Sequence, residues 1–99
     1  MAAYLLFIRE GSVIDPEAMM KYQAVNREAG PSHGVEPQIV YGPVEALEGD
    51  APEGVVLLRF PDAASARAWY DRPEYQAAVK LRQQAAPSYR AMLLEGWQP

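Results

Sequence analysis

The sequence predicts an α+β fold, a four-stranded antiparallel sheet with helices on one face and elements in the order β-α-β-β-α-α-β. Three observations carry that expectation. Short apolar runs rich in branched and aromatic residues recur at 3–9, 55–60 and 88–95. Helical spacing fills the stretches between them, each opened by an aspartate, Asp15 or Asp62. Proline and glycine then mark the boundaries, above all at Gly30-Pro31, Pro73 and Pro87. The 99 residues suit a single domain spanning 1–99.

Residues 3–9 (AYLLFIR) form the first expected strand. Asp15-Pro16-Glu17 starts a helix: Asp accepts from free N–H groups, Pro suits the first helical position, and Glu favours the positive end of the dipole. Met19, Tyr22, Val25 and Ala29 follow at helical spacing, and Gly30-Pro31 ends the helix. A loop over 32–37 carries His33, and 38–48 reads as a strand with an irregularity at Gly42-Pro43. Proline lacks an N–H, so that strand should be bulged or at an edge. The turn-rich GDAPEG at 49–54 then leads into the strand 55–60, an antiparallel hairpin. Asp62 caps a helix from Ala63 to about Asp71. Pro73 disfavours helical backbone at Arg72 and begins a second helix to about Ala86. Pro87 stops it, and 88–95 is the last strand. The arrangement is a ferredoxin-like split βαβ.

A strand covered on one face should alternate apolar and polar residues. Here both faces are apolar. Leu5 and Phe7 oppose Tyr4, Leu6 and Ile8; Val55 and Leu57 oppose Val56, Leu58 and Phe60; Ala91 and Leu93 oppose Met92 and Leu94. The chain's own helices cover one face only, and the other would be a patch that monomers rarely tolerate. A homodimer with its two sheets packed face to face is expected.

Composition excludes several classes of function. A net charge of −4 and scattered Lys and Arg argue against nucleic acid and anionic membrane. With no cysteine, disulfides, thiol catalysis and thiolate metal sites are ruled out. One histidine cannot build a multi-histidine metal site, and no acidic loop has suitable spacing, so neither metal nor cofactor is expected. The apolar opening AAYLLFI is stopped by Arg9 and Glu10, too short for a bilayer and without a preceding basic region. A soluble, cytoplasmic protein is expected.

Val44-Glu45 with Leu47-Glu48-Gly49, Phe60-Pro61, Trp69-Tyr70-Asp71, and Pro73-Glu74-Tyr75-Gln76 with Arg82 resemble the domain of unknown function 1330 family, of the dimeric α+β barrel superfamily. The resemblance implies the fold and a dimer. It implies no chemistry, since the superfamily includes cofactor-independent monooxygenases, lactone isomerases, haem enzymes and stress proteins without known catalysis. Relatives often carry Arg-Gly-Gly where this chain has Tyr41-Gly42-Pro43.

Among candidate site residues, Arg82 shares one face of its helix with Tyr75, Ala78, Val79 and Ala86. An arginine in an apolar arc snorkels, pairs with a carboxylate such as Glu45 or Glu48, or binds a ligand carboxylate through its fork. His33, in a Gly- and Pro-flanked loop, is the candidate catalytic acid or base; the plain alternative is a solvated loop histidine. Tyr22 and Tyr41 are candidate ligand-binding hydroxyls in a pocket between sheet and helices, and Tyr4, Tyr70, Tyr75 and Tyr89 could point there too; the alternative for each is core or interface packing. Trp69 is expected in the core beside the first strand, and Trp97 at a lid or interface. Two functions fit: binding or transforming a small acidic or aromatic molecule without a cofactor, or a non-catalytic stress-related or assembly protein whose main specific surface is its homodimer interface.

Overall fold

The computed structural model describes residues 1–97, and for Ala29 the backbone alone, so its predicted core-facing side chain lies outside the described residues. The elements are β1 (Ala3–Arg9), α1 (Pro16–Ala29), β2 (Glu36–Val40), β3 (Gly54–Phe60), α2 (Ala63–Tyr70), α3 (Pro73–Ala85) and β4 (Tyr89–Glu95). They match the predicted order. All strand pairs are antiparallel, in the order β2-β3-β1-β4, so β1 and β3 are central. The sheet is open, not closed into a barrel, and shows the ferredoxin-like arrangement.

Local chemistry sets the boundaries. The Asp15 carboxylate accepts from the Ala18 N–H at 3.1 Å and the Asp62 carboxylate from the Ser65 N–H at 2.7 Å. Both carboxyls are held below their ordinary value, chiefly by those backbone hydrogen bonds. Gly30 closes α1 at φ +66°, ψ −176°, a backbone region essentially reserved for glycine. The break before Pro73 falls at Arg72, whose ψ of 133° is extended. Ile14 N–H donates to the Ala85 carbonyl at 2.7 Å, fastening the start of α1 to the end of α3.

The core lies between the sheet and the helices. Ala3, Leu5, Phe7, Leu58 and Phe60 are buried beneath Met19, Tyr22, Trp69, Tyr75 and Val79. Trp69 packs at a tilt against Phe60 and Tyr75 at ring separations of 5.7 and 4.6 Å. The register puts Leu6 between Leu57 and Met92, and Ile39 beside Leu57, on the face away from the helices. That outer face is apolar, as the sequence predicts.

The second strand differs from expectation. It covers Glu36–Val40 rather than 38–48, and its irregularity lies between Pro37 and Ile39 rather than at Gly42-Pro43. It is an edge strand, as its proline requires. The chain leaves the sheet at Tyr41, whose φ of +54° cannot continue a strand. Residues 41–53 are consequently a long connection, not a short turn, and Val44 and Leu47 stand exposed in it.

Candidate functional site

A cavity of about 520 Å³ opens between α1 and the inner face of the sheet, near the β2 edge. Phe7, Val56 and Leu58 line it from the central strands, and Val35, Pro37 and Val40 from β2 and its approach. Tyr22 and Asn26, one turn apart on α1, share its helical wall. Trp69, Tyr41 and Tyr89 complete the aromatic surroundings, and Arg27 stands exposed on the lining. Mostly apolar walls with a few polar groups and this volume are ordinary for a small-molecule site.

Arg82 lies behind this wall. It is 4% exposed, and its guanidinium carbon sits 4.8 Å from the Tyr89 ring centre, 5.7 Å from Phe7 and 5.8 Å from Tyr22. All three rings also line the cavity. Arg82 Nη1 donates to the Tyr75 hydroxyl at 3.1 Å, and the Tyr75 and Tyr22 hydroxyls lie 2.9 Å apart. Nε of Arg82 is buried without a partner among the described residues. Burial disfavours the guanidinium charge, but the neighbouring Tyr75 and Tyr22 phenols more than offset it, and the Arg82 pKa lies above its ordinary value. The Tyr75 pKa is pushed far up, first by burial and then by Tyr22, so Tyr75 stays a neutral phenol.

Glu45 and Glu48 do not pair with Arg82. They belong to the 41–53 connection and are exposed, and no carboxylate meets Arg82 among the described residues. The fork of Arg82 is also absent from the cavity lining, being enclosed by Tyr75 and the three rings.

Tyr41 and Tyr89 form a second phenol pair, with hydroxyls 2.7 Å apart. The left-handed backbone of Tyr41 turns its ring back over β3, and a Cβ at Gly54 would come 2.8 Å from the Tyr41 ring. The Arg9 guanidinium stands 5.6 Å from that ring centre. A bulky residue at positive φ is a costly conformation that its surroundings must hold in place, and such residues cluster at functional sites. Burial, followed by the Tyr41 hydrogen bond, pushes the Tyr89 pKa well above the ordinary phenol value.

His33 sits elsewhere. It is exposed at φ +57°, with Nδ1 3.0 Å from the Ser32 hydroxyl, and it is not among the cavity's lining residues. Its loop neighbours Pro31 and Val35 are. Ser32 accepts a long 3.5 Å hydrogen bond from Arg72, which stacks 4.8 Å over Trp69 and donates through Nε to the Trp69 carbonyl at 2.9 Å. Arg72 thereby ties the loop bearing the cavity's rim to the α2–α3 junction.

The structure therefore brings Tyr22 and Tyr41 to one cavity, sets Arg82 behind its wall and leaves His33 outside it. Tyr75 and Tyr89, both among the tyrosines the sequence offers as pocket hydroxyls, join the site; Asn26, whose Oδ1 is buried without a partner among the described residues, escapes sequence reasoning. Asn26 had a signal, since it follows Tyr22 by one helical turn. Among the described residues no cluster of His, Cys, Asp and Glu could hold a metal, and no helix is long and apolar enough to cross a membrane.

Comparison with solved structures shows the fold. The chain is similar to a protein of unknown function from Rhodopseudomonas palustris, at 22% identity over 99% of this chain and 84% of that one, with a TM-score of 0.68. It is also similar to a dimeric ferredoxin-like protein of unknown function from Jannaschia sp. CCS1, at 21% identity over 97% and 100% of the two chains, TM-score 0.70. A dimeric ferredoxin-like protein of unknown function from Thermobifida fusca YX matches at 13% identity over 97% and 92%, TM-score 0.66. No curated protein matches the chain. The model of the family described as Domain of unknown function (DUF1330) matches residues 2–97, and the chain belongs to that family.

Proposed function

We propose that the protein is a cytoplasmic homodimer that binds a small acidic or aromatic molecule, without a cofactor, in the cavity between α1 and the sheet. One observation carries this reading: a buried guanidinium with no carboxylate among the described residues, caged by rings that line an open cavity. An uncompensated buried cation is expensive, and a purely structural site of that shape is as well filled by an apolar side chain. Its field favours negative charge in the cavity, and the aromatic walls favour a flat ligand. Tyr22 and Tyr41 supply hydroxyls. His33, exposed on the rim loop, is assigned proton handling at the mouth, an assignment lost if His33→Gln leaves the pH dependence of binding unchanged.

The homodimer is supported by the apolar outer face and by the two similar structures described as dimeric. Two open sheets facing each other would make the barrel. That face also favours the second reading, a non-catalytic stress-related or assembly protein. Titration with benzoate, salicylate and 4-nitrophenol, followed by thermal shift and tryptophan fluorescence, separates the two. A concentration-dependent rise in Tm that disappears in Arg82→Met supports the binding reading. A dimer indifferent to all three compounds favours the assembly reading.

A further inference from the structure

We infer that Tyr22 is the hydrogen-bond donor to a single-oxygen anion, a phenolate or enolate on a flat unsaturated body, and that Arg82 and Tyr75 are positioning residues that set its proton from behind. This deepens the binding reading above and rests on it.

The direction of the hydrogen bonds follows from counting protons. Arg82 can only donate, so the Tyr75 oxygen accepts from Nη1 at 3.1 Å. The Tyr75 and Tyr22 hydroxyls, 2.9 Å apart, share one bond, which either could donate. If Tyr22 donated, the Tyr75 proton would have no acceptor among the described residues, at a site only 1% exposed. A buried unsatisfied donor is heavily penalised. If Tyr75 donates, the leftover proton belongs to Tyr22, which is also buried but, unlike Tyr75, lines the cavity, and the acceptor assigned to it is a ligand there. The satisfied order is therefore Arg82 to Tyr75 to Tyr22 to ligand. A cation at the head of such a chain polarises each successive O–H, and the low-dielectric surroundings strengthen the effect.

The same geometry narrows the ligand. A carboxylate is best met by two parallel donors from an arginine fork. Here the fork is turned to Tyr75 and covered by Phe7, Tyr22 and Tyr89, so the donor left for a ligand is the single Tyr22 O–H. One strong donor beside aromatic walls suits one anionic oxygen conjugated to a flat body.

The test uses 4-nitrophenol, whose phenol and phenolate forms absorb differently, titrated against the full chain across a pH series with benzoate as the comparison. Bound to the wild type, it should ionise at lower pH than free probe, its proton going to solvent. Tyr22→Phe should weaken phenolate binding by on the order of tenfold, with benzoate affected less. Tyr75→Phe should bind the probe but lose most of the ionisation shift. Arg82→Lys, which keeps a charge without the reach to Tyr75, should do the same and stands in if Tyr75→Phe fails to fold. A Tyr22→Phe protein that behaves as wild type overturns Tyr22 as the donor. An unchanged ionisation shift in both Tyr75→Phe and Arg82→Lys overturns the relay while leaving the binding reading intact. A wild type that binds benzoate but leaves nitrophenol ionisation unshifted overturns the ligand class alone. A wild type that binds neither probe overturns the binding reading and this inference with it.

Discussion

At the scale of single residues, the protein maintains a charge in its core that packing does not require. Replacing Arg82 by methionine removes the buried cation and keeps a long unbranched side chain among Phe7, Tyr22 and Tyr89. Buried charges are often replaceable by apolar groups at no loss, and sites kept for function are commonly suboptimal for stability. Arg82→Met should therefore be neutral or stabilising by ~1 kcal/mol in chemical denaturation, and a loss of several kcal/mol would make the arginine structural. Tyr75 and Tyr89 set an alkaline limit. Burial raises both folded pKa values above the unfolded 10.0, so below that pH both states hold the protons and their contribution is intact. Above it the unfolded chain ionises first and stability falls. The Tyr75→Phe/Tyr89→Phe double variant should flatten the decline of Tm above about pH 10, which a wild-type-like alkaline slope would contradict. Helical periodicity alone was enough to place Arg82 with Tyr75. It could not reveal that Arg82 would find phenols rather than Glu45 or Glu48, because that depends on where the 41–53 connection leaves the sheet.

At the scale of elements, boundaries marked by a capping side chain, a proline or a glycine were legible, and the one set by an unusual backbone conformation at a tyrosine was not. Asp15-Pro16, Asp62 and Pro73 each define a helix start through an acceptor or a fixed φ, and the helices begin where those residues stand. The end of β2 depends on positive φ at Tyr41, a conformation tyrosine seldom adopts, with its ring in space that a Cβ at Gly54 would take. No propensity for 38–48 carries that information, so the predicted strand overran. The α2–α3 junction also carries a prediction. Pro73 presets the first turn of α3, and glycine there restores freedom to the unfolded chain, so Pro73→Gly should lower stability by ~0.4–1 kcal/mol. An unchanged Tm would mean the junction is held by Arg72 alone. Arg72→Lys tests that clamp, since an ammonium cannot reproduce the flat stack on Trp69. It should loosen the 31–34 loop, seen as faster amide exchange at Ser32 and His33, with α2 and α3 unaffected.

At the scale of the molecule, the two apolar faces of the sheet have different fates, and β1 alternates between them. Leu5 and Phe7 point into the core; Tyr4, Leu6 and Ile8 point away from the helices. The cavity and the outer face therefore share a strand but not a surface, and one substitution can separate assembly from folding. Leu6 is the suitable position, central in the outer face between Leu57 and Met92. A lysine there puts a charge into an interface made of two such faces, where desolvating it without a partner is costly, and leaves the inner face untouched. Leu6→Lys should sediment as a monomer with wild-type far-UV circular dichroism. Its Tm should also lose the rise with protein concentration that the proposed dimer should show in the wild type. If the partner sheet covers this face, the monomer's exposed patch should additionally bind a hydrophobic dye that the wild-type dimer excludes. A Leu6→Lys protein that remains a dimer of full stability would place the interface elsewhere, with the outer face open in both proteins and equally accessible to dye.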